Sequence, residues 1–362
     1  MANSGQITAR YPRGSFCGRY RFAVLALLLT AFTGACTTSG SNARRAADLP
    51  PLQLNDHLVT AAQAYERAPT PDLLAVDADM RDFVQHYTGG IRTKRQRLMM
   101  LHRAIRGAAT LGIEYDPQAE GTARDTFHRG SANCLAYATL FIALAREAGL
   151  SASYQWHEVR PQWVRQGERV VLRKHVNAFV SLGTNEQYRV DIDPLPSQDI
   201  VDSRRISDVD AQALYHSNLA MDALAGQAIE EAWLHAVRAV QLSPGTAHLW
   251  VNLGAIYRVN GQHRDAEFSY LSALQLDPGE HSAMNNLVVL YELEGRPAER
   301  ELWAERVARH REGNPYYHAS LGQEAAAAGD LARAASHYER ALQLAPEDSR
   351  LLYLLDTLTA GS

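Results

Sequence analysis

The sequence has few of the residues that several common classes of protein need. Its 362 residues include three cysteines, Cys17, Cys36 and Cys134, which are too few for a disulfide framework. No group of cysteines and histidines has the spacing of a zinc site, and no glycine-rich phosphate loop precedes a helix. These absences predict a chain whose chemistry uses neither a metal nor a cofactor.

Concentrated positive charge is missing as well. The 36 lysines and arginines are outnumbered by 40 acidic residues, which gives a net charge of −4, and they form no long basic run. Nucleic-acid binding needs positive charge gathered on one face, so this class of partner is excluded. With 46% hydrophobic and 21% charged residues the composition is that of a globular chain, and its length allows two or three domains.

A short apolar run near the N-terminus, Phe22 to Phe32, follows several arginines. It is too short to cross a bilayer permanently, and a basic segment before a short apolar one is typical of a secretory signal. The sequence that ends the run, Thr33-Gly34-Ala35-Cys36, resembles the cleavage box of bacterial lipoproteins, although that box usually has leucine where Thr33 stands. An ordinary signal peptide with an incidental cysteine is the alternative.

The lipoprotein resemblance implies a protein that is anchored to a membrane without crossing it. Residues 1–35 are then the signal peptide, Cys36 carries the acyl chains, and residues 36–60, which begin rich in Ser, Gly, Asn and Arg, form a tether. Because Thr37 and not aspartate follows the cysteine, the resemblance implies a cell-envelope location at the outer membrane, facing the periplasm.

From Ala213 onward the sequence repeats every 34 residues. Prolines, glycines and alanines keep the period: Pro244, Pro278, Pro346, Gly261, Gly295, Gly329, Ala232, Ala266 and Ala334. The best copy contains Trp250, Leu253, Gly254, Tyr257, Ala266, Tyr270, Ala273 and Pro278. These residues resemble the signature of the tetratricopeptide repeat (TPR). The resemblance implies an all-α solenoid of four helical hairpins over about residues 213–346, in a domain of residues 201–362 that ends in a capping helix.

The signature also predicts how closely the helices of each hairpin pack. Small residues such as Gly254 and Ala266 let the two helices approach closely, and the prolines end the second helix. The third copy has Glu312 where the proline is expected and Arg300 where the alanine is expected. We therefore expect the third hairpin to fold with looser packing.

Asparagine recurs at one phase of the repeat, as Asn218, Asn252 and Asn286, while the fourth copy has Ser320. This pattern resembles the asparagine ladder with which some TPR proteins hold an extended peptide, because each amide offers a donor and an acceptor. The alternative is that these asparagines satisfy only neighbouring helix groups. In either case the concave face of the solenoid is predicted to bind a protein or peptide partner.

Cys134 is the one cysteine outside the signal and anchor segment. Two helical patterns precede it, at Leu73–His86 and Lys94–Leu111. Polar and glycine residues stand before Cys134, an apolar helix-forming run follows it, and Gly149 closes that run, so Cys134 is predicted on the first turn of a buried helix. There the backbone N–H groups and the positive end of the helix dipole favour a thiolate, which is the nucleophilic form of cysteine.

Two strand patterns follow this helix. One begins at His175, the other contains Asp191, and residues 183–186 form a turn between them. His175 and Asp191 are 16 residues apart with the turn near the midpoint, so the hairpin is expected to bring them face to face. A cysteine at a helix start, a histidine to take its proton and a carboxylate to orient the imidazole together form a triad, which is recognised by these roles.

These elements resemble the transglutaminase-like cysteine superfamily over roughly Asp72 to Pro196. The resemblance implies an α+β, papain-like fold for residues 61–200, with Cys134 as the nucleophile, His175 as the general base and Asp191 as the orienting acid. Asp193 is the alternative acid, because Asp193-Pro194 matches another form of the family motif.

Other charged residues in this half of the chain receive structural interpretations. His128 and His157 are interpreted as surface or core histidines. The mixed acidic and basic residues from Asp199 to Asp210 are interpreted as a solvated linker between the two domains.

The combined hypothesis is a membrane-anchored enzyme of acyl transfer. The Cys134 thiolate attacks an amide carbonyl, and water or an amine then takes the thioester. Hydrolysis, as by a peptidase or amidase, is favoured because water is abundant outside the cytoplasm and nothing marks an amine pocket. The alternative is a non-catalytic adaptor whose repeats recruit a partner for envelope assembly.

Overall fold

The structure, a computed structural model, describes residues 8–9, 48–159, 174–184, 186–195 and 200–360. Cys36, most of the predicted signal peptide and the first part of the predicted tether lie outside the described residues. The chain forms two compact units. The first comprises Met1–Gln155, Asn177–Pro194 and Arg205–Glu280, and the second comprises Trp156–Val176, Leu195–Arg204 and His281–Ser362.

Short strands and helices precede Cys134. They are β2 (Leu52–Gln53), β3 (Leu58–Val59), α1 (Gln63–Arg67), α2 (Ala78–Thr88), α3 (Lys94–Arg106), β4 (Glu114–Tyr115), α4 (Ala123–Arg129) and β5 (Ser131–Ala132). Two of the helices were predicted with different ends. α2 begins later than Leu73 because the Asp77 side chain caps it by accepting a hydrogen bond from the Met80 N–H at 3.0 Å. α3 ends at Arg106, before Gly107.

Helix α5 (Cys134–Glu147) is the most buried element of this region. All residues from Leu135 to Ala145 are buried, as the unbroken apolar run predicts, and the helix contacts α2, α3 and α4. The helix ends just before Gly149, as the sequence predicts. Gly149 has a positive φ of 71°, which glycine tolerates best.

A five-stranded sheet follows in the chain. Its strands are β6 (Ser151–Val159), β7 (Lys174–Ser181), β8 (Gln187–Val190) and β9 (Ile200–Ile206), joined by β1 (Thr8–Ala9) in the spatial order β1-β8-β7-β6-β9. β7 and β8 form the predicted antiparallel hairpin, with Ala178 opposite Val190. The prediction of a linker after Asp199 was wrong, because residues 200–206 form edge strand β9. The exposed side chains of an edge strand can be as polar as those of a linker.

Eight helices form four hairpins, and a ninth ends the described chain. Hairpin 1 is α6 (Asp208–Ala225) and α7 (Ile229–Leu242), hairpin 2 is α8 (Ala247–Val259) and α9 (His263–Leu276), hairpin 3 is α10 (His281–Leu293) and α11 (Pro297–Glu312), hairpin 4 is α12 (Pro315–Ala327) and α13 (Leu331–Leu344), and the terminal helix is α14 (Ser349–Ala360). An α+β part followed by a run of helical hairpins confirms the predicted fold class.

The repeat signature acts as predicted in hairpin 2. A Cβ placed on Gly254 would lie 2.6 Å from Cε1 of Tyr270, so only glycine allows this approach of the two helices. α7, α9 and α13 have 14 residues each and end two residues before a repeat proline. α11 lacks that proline and continues for 16 residues to Glu312. The missing proline therefore lengthens the helix without removing the hairpin.

Residues that follow the predicted anchor are packed against the first two hairpins. Leu52 and Val59 are fully buried, and the Tyr257 hydroxyl donates to the Pro50 carbonyl. The Gln262 amide accepts from the Gln53 N–H at 2.8 Å and donates to the Pro51 carbonyl at 3.0 Å. Within the predicted tether, the portion after residue 48 thus has fixed contacts. Across the described ranges, no helix is both long enough and apolar enough to cross a membrane.

Candidate active site around Cys134

Cys134 is the first residue of α5, as predicted. Asn133 before it has extended backbone angles, and its side-chain Oδ1 accepts a hydrogen bond from the Ala136 N–H at 2.9 Å, which caps the helix. The thiol is half-buried, and within the described part of the chain it forms no disulfide. A half-buried sulfur at a helix N-terminus is in the field of the helix dipole while remaining open to a reagent.

The capping residue is itself held in place by Glu120. Oε2 of Glu120 accepts a hydrogen bond from Asn133 Nδ2 at 3.0 Å, and the Asn133 N–H donates to the Ala119 carbonyl at 3.1 Å. The Arg129 guanidinium donates to the carbonyls of Ala119 and Glu120, each at 3.0 Å. Sequence reasoning missed Glu120, because it lies 13 residues before its partner in a stretch without a motif.

Asp191 directly follows β8 and is buried. Its Oδ2 accepts a hydrogen bond from Asn177 Nδ2 at 3.4 Å, and its Oδ1 accepts from the Asp193 N–H at 3.2 Å. Asp193, the alternative acid, is exposed. The register of β7 and β8, continued by one residue, places Asn177 opposite Asp191. His175 stands two residues earlier on β7, so the expectation that His175 and Asp191 lie directly face to face was wrong.

His175 is buried near the start of β7. Its ring stacks on that of His157 on β6 at an interplanar angle of 28°, with centroids 6.2 Å apart. Nδ1 of His157 is 2.6 Å from Oγ of Ser203. His175 belongs to the second compact unit, whereas Cys134 and Asp191 belong to the first. His157 is a buried core residue, and His128 is an exposed one that contacts Asp77 at 2.8 Å.

A buried tyrosine one turn after the cysteine is a further polar group that sequence reasoning missed. Tyr137 is 1% exposed, and its hydroxyl has no hydrogen-bond partner among the residues that the structure describes. Burial raises the pKa of Tyr137, and the charge of Asp191 raises it further while Arg106 opposes the shift. Arg106 donates to the Ile192 carbonyl at 3.0 Å. The apolar neighbours of Tyr137 in the sequence gave no sign of a polar role.

Two of the three repeat asparagines have partners within the chain. Asn218 is exposed on α6 and donates to Oε2 of Glu120 at 2.5 Å. Asn252 on α8 donates to Oγ of Ser217 at 2.9 Å. Asn286 lies half-buried on α10. A peptide ligand on this row would compete for the amides of Asn218 and Asn252.

One group of side chains within the described residues has the composition of a metal site. Ligand atoms of Asp77, Asp79 and His128 lie within 4.8 Å of one another. Both carboxylate oxygens of Asp77 are already used, one by the Met80 N–H and the other by His128. A helix cap and a surface contact account for this arrangement.

Comparison with known proteins identifies two parts of the chain. Residues 81–192 match the family model of the transglutaminase-like superfamily, and residues 247–280 match that of the tetratricopeptide repeat. The chain therefore contains a transglutaminase-like domain and at least one TPR. No curated protein matched the chain.

Several solved structures resemble part of the chain at low identity. YrrB, described as a TPR protein with an unusual peptide-binding site, is 18% identical over 41% of this chain and 76% of its own, with a TM-score of 0.26. MamA from Desulfovibrio magneticus is 16% identical over 42% and 85%, with a TM-score of 0.27. PilF from Pseudomonas aeruginosa is 19% identical over 42% and 70%, with a TM-score of 0.27.

Proposed function

We propose that this protein is a cysteine-dependent amide hydrolase or acyl transferase whose repeats bind a protein or peptide. The observation that carries the proposal is the position of Cys134, half-buried as the first residue of α5, inside the segment that matches the transglutaminase-like model. A buried structural cysteine has no need of a capped helix N-terminus, but a nucleophilic thiolate is stabilised by one.

The proposed reaction has two halves. The Cys134 thiolate attacks an amide carbonyl, the carbon–sulfur bond forms, and backbone N–H groups at the start of α5 stabilise the oxyanion. The carbon–nitrogen bond then breaks, and the amine leaves with a proton from His175. In the second half, water attacks the thioester carbonyl and gives a proton to His175. The carbon–sulfur bond then breaks, which releases the carboxylic acid and the Cys134 thiolate. Asp191 orients the imidazole and stabilises its charged form.

Hydrolysis and transfer differ only in the molecule that attacks the thioester. Water gives a peptidase or amidase, and a primary amine gives a cross-linking transferase. We propose hydrolysis as the main outcome, because no acidic residue lies in the first turn of α5 to attract an amine. The repeats then serve to bring a protein or peptide substrate to the domain.

The alkylation rate of Cys134 tests this proposal. Rapid labelling of the native protein by iodoacetamide at neutral pH is expected, with a large loss of rate in His175→Ala because the proton acceptor is gone. His128→Ala is the matched control, since His128 is exposed and its imidazole pairs with Asp77. Labelling as slow as that of free cysteine, or unchanged in His175→Ala, would favour the adaptor function instead.

We also propose that the protein is attached to the cell envelope through Cys36, at the outer membrane and facing the periplasm. The support is the order of basic, apolar and small residues before this cysteine. Metabolic labelling with a fatty acid is expected to mark the protein, and Cys36→Ser is expected to abolish the label. Cys17→Ser is the matched control, because Cys17 precedes the apolar run. Label retained in Cys36→Ser would refute the anchor.

A further inference from the structure

One carboxyl group connects the first repeat hairpin to the start of the nucleophile helix. Oε2 of Glu120 accepts hydrogen bonds from Asn133 Nδ2 at 3.0 Å and from Asn218 Nδ2 at 2.5 Å. Oε1 of Glu120 accepts from the Gly121 N–H at 3.2 Å. Asn218 lies on α6, and Asn133 is the capping residue of α5, so Glu120 joins two helices that are far apart in the sequence.

The contact fixes the orientation of the capping amide. Asn133 uses both ends of its side chain, since Oδ1 accepts from the Ala136 N–H while Nδ2 donates to Glu120. Rotation of this amide would break the cap or the bond to Glu120. Loss of Glu120 therefore frees the cap and, with it, the first turn of the helix that begins at Cys134.

The Glu120 side chain is half-buried, which is a costly place for a carboxyl group whose only task is to join two elements. Burial raises the pKa of its carboxyl group, while the hydrogen bonds from Asn218 and Asn133 oppose the shift. An apolar contact could join α6 to this loop without removing a carboxyl group from water. What an apolar contact could not do is hold the amide of Asn133 in one orientation.

We propose that Glu120 is a positioning residue for the reaction assigned to Cys134, and that its bond to Asn218 makes this positioning depend on the first repeat hairpin. The inference rests on the proposed function for its catalytic meaning. Physically, Glu120 holds the capping amide, the capping amide holds the first turn of α5, and the first turn holds the sulfur and the N–H groups beside it. Small displacements of a nucleophile cost large factors in rate.

The test compares four variants by two measurements. Glu120→Ala is expected to slow iodoacetamide alkylation of Cys134 about tenfold, since a loosened first turn misplaces the sulfur. Glu120→Gln is expected to keep most of the rate, because its carbonyl oxygen still accepts from both asparagines. Asn218→Ala is expected to slow alkylation by a smaller factor. Gln323→Ala, a change of an exposed amide on α12, is expected to have no effect. Hydrogen exchange of residues 134–138 should speed up in parallel with the loss of rate, while the middle of α5 stays protected.

Three results would overturn the inference. The first is a normal rate and normal exchange in Glu120→Ala. The second is a rate for Glu120→Gln as low as that for Glu120→Ala, which would assign the effect to charge. The third is an equal effect of Asn218→Ala and Gln323→Ala, which would assign the loss of rate to general weakening of the repeats. An alkylation rate that is unchanged in His175→Ala would refute the proposed function alone. Hydrogen exchange at residues 134–138 would then still show whether Glu120 holds the start of α5.

Discussion

Hairpins 2 and 3 have the same order of helices but differ at one pair of packed positions. In hairpin 2, Gly254 lies against the ring of Tyr270, which is fully buried. One repeat later the corresponding residues are Val288 and Ala304, and a cleft of about 260 Å³ lies beside them. Loss of the ring thus leaves the hairpin in place but opens its seam. The 34-residue period maintains the fold, and the residues at this pair of positions determine how densely each hairpin packs.

The other two hairpins extend this comparison. Hairpin 4 repeats the arrangement of hairpin 2, since a Cβ on Gly322 would lie 2.5 Å from Cε1 of Tyr338. Hairpin 1 has alanines at both positions, Ala220 and Ala236, and both are buried. In hairpin 1, two small residues let the helices approach closely without a ring between them. In hairpin 3, the larger Val288 keeps the two helices apart, and Ala304 is too small to fill the space between them.

The largest expected effect comes from giving hairpin 2 the small residue found in hairpin 3. Tyr270→Ala should lower the free energy of unfolding by about 3–5 kcal/mol, because it empties a fully buried aromatic site beside a glycine that cannot fill it. Urea denaturation measures the change. Tyr353→Ala is the control, since Tyr353 is 67% exposed and its removal should change little. Equal effects of the two substitutions would contradict the assigned role of the ring.

A substitution at the glycine of the same pair tests the close approach from the other side. Gly254→Ala should destabilise the protein by about 1–3 kcal/mol, although alanine is the better helix former, because the new Cβ would lie 2.6 Å from the Tyr270 ring. Gly322→Ala should behave alike, since its geometry in hairpin 4 is the same. A gain in stability from either change would show that the seam can widen at no cost.

Hairpin 1 is predicted to lose stability in acid. His216 is fully buried, with Nδ1 2.8 Å from Nδ1 of His235 and Nε2 2.9 Å from Oγ1 of Thr70. Burial lowers the pKa of His216 to about 3, and the charges of His235 and Arg238 add to this shift. Burial also lowers the pKa of His235. The folded state therefore holds His216 neutral, so its contribution is fully present above pH 6.5 and is lost as the pH falls toward 3.

The expected size of this acid effect is about 2 kcal/mol between pH 7 and pH 5, from about 1.4 kcal/mol per pH unit below the unfolded pKa. Unfolding free energies measured across this range should fall more steeply for the wild type than for His216→Gln, which cannot take up the proton. His128→Gln serves as the control at an exposed site. Parallel curves for the wild type and His216→Gln would contradict the prediction.

The sequence predicted the positions of elements that carry a local signal, such as a helix-capping residue or a turn. α5 begins at Cys134 because Asn133 caps it, and β7 and β8 form the expected hairpin. Its register differs from the prediction, since Asn177 and not His175 lies opposite Asp191. The edge strand β9 escaped prediction, because the side chains that it exposes are as polar as those of a linker. The role of Glu120 could not be predicted either, since its bond to Asn218 joins residues 98 apart in the sequence.

The smallest expected effect is a gain of stability when hairpin 3 is converted to the form of hairpin 2. Val288→Gly together with Ala304→Tyr should place a ring in the cleft and raise the free energy of unfolding by about 0.5–2 kcal/mol, the usual range for filling a cavity. Val288→Gly alone should instead destabilise, because it removes a packed side chain and places glycine within α10. The difference between the double and single variants isolates the contribution of the ring. If the double variant were no more stable than Val288→Gly, the longer α11 and Arg300, and not the missing ring, would be the reason that hairpin 3 packs loosely.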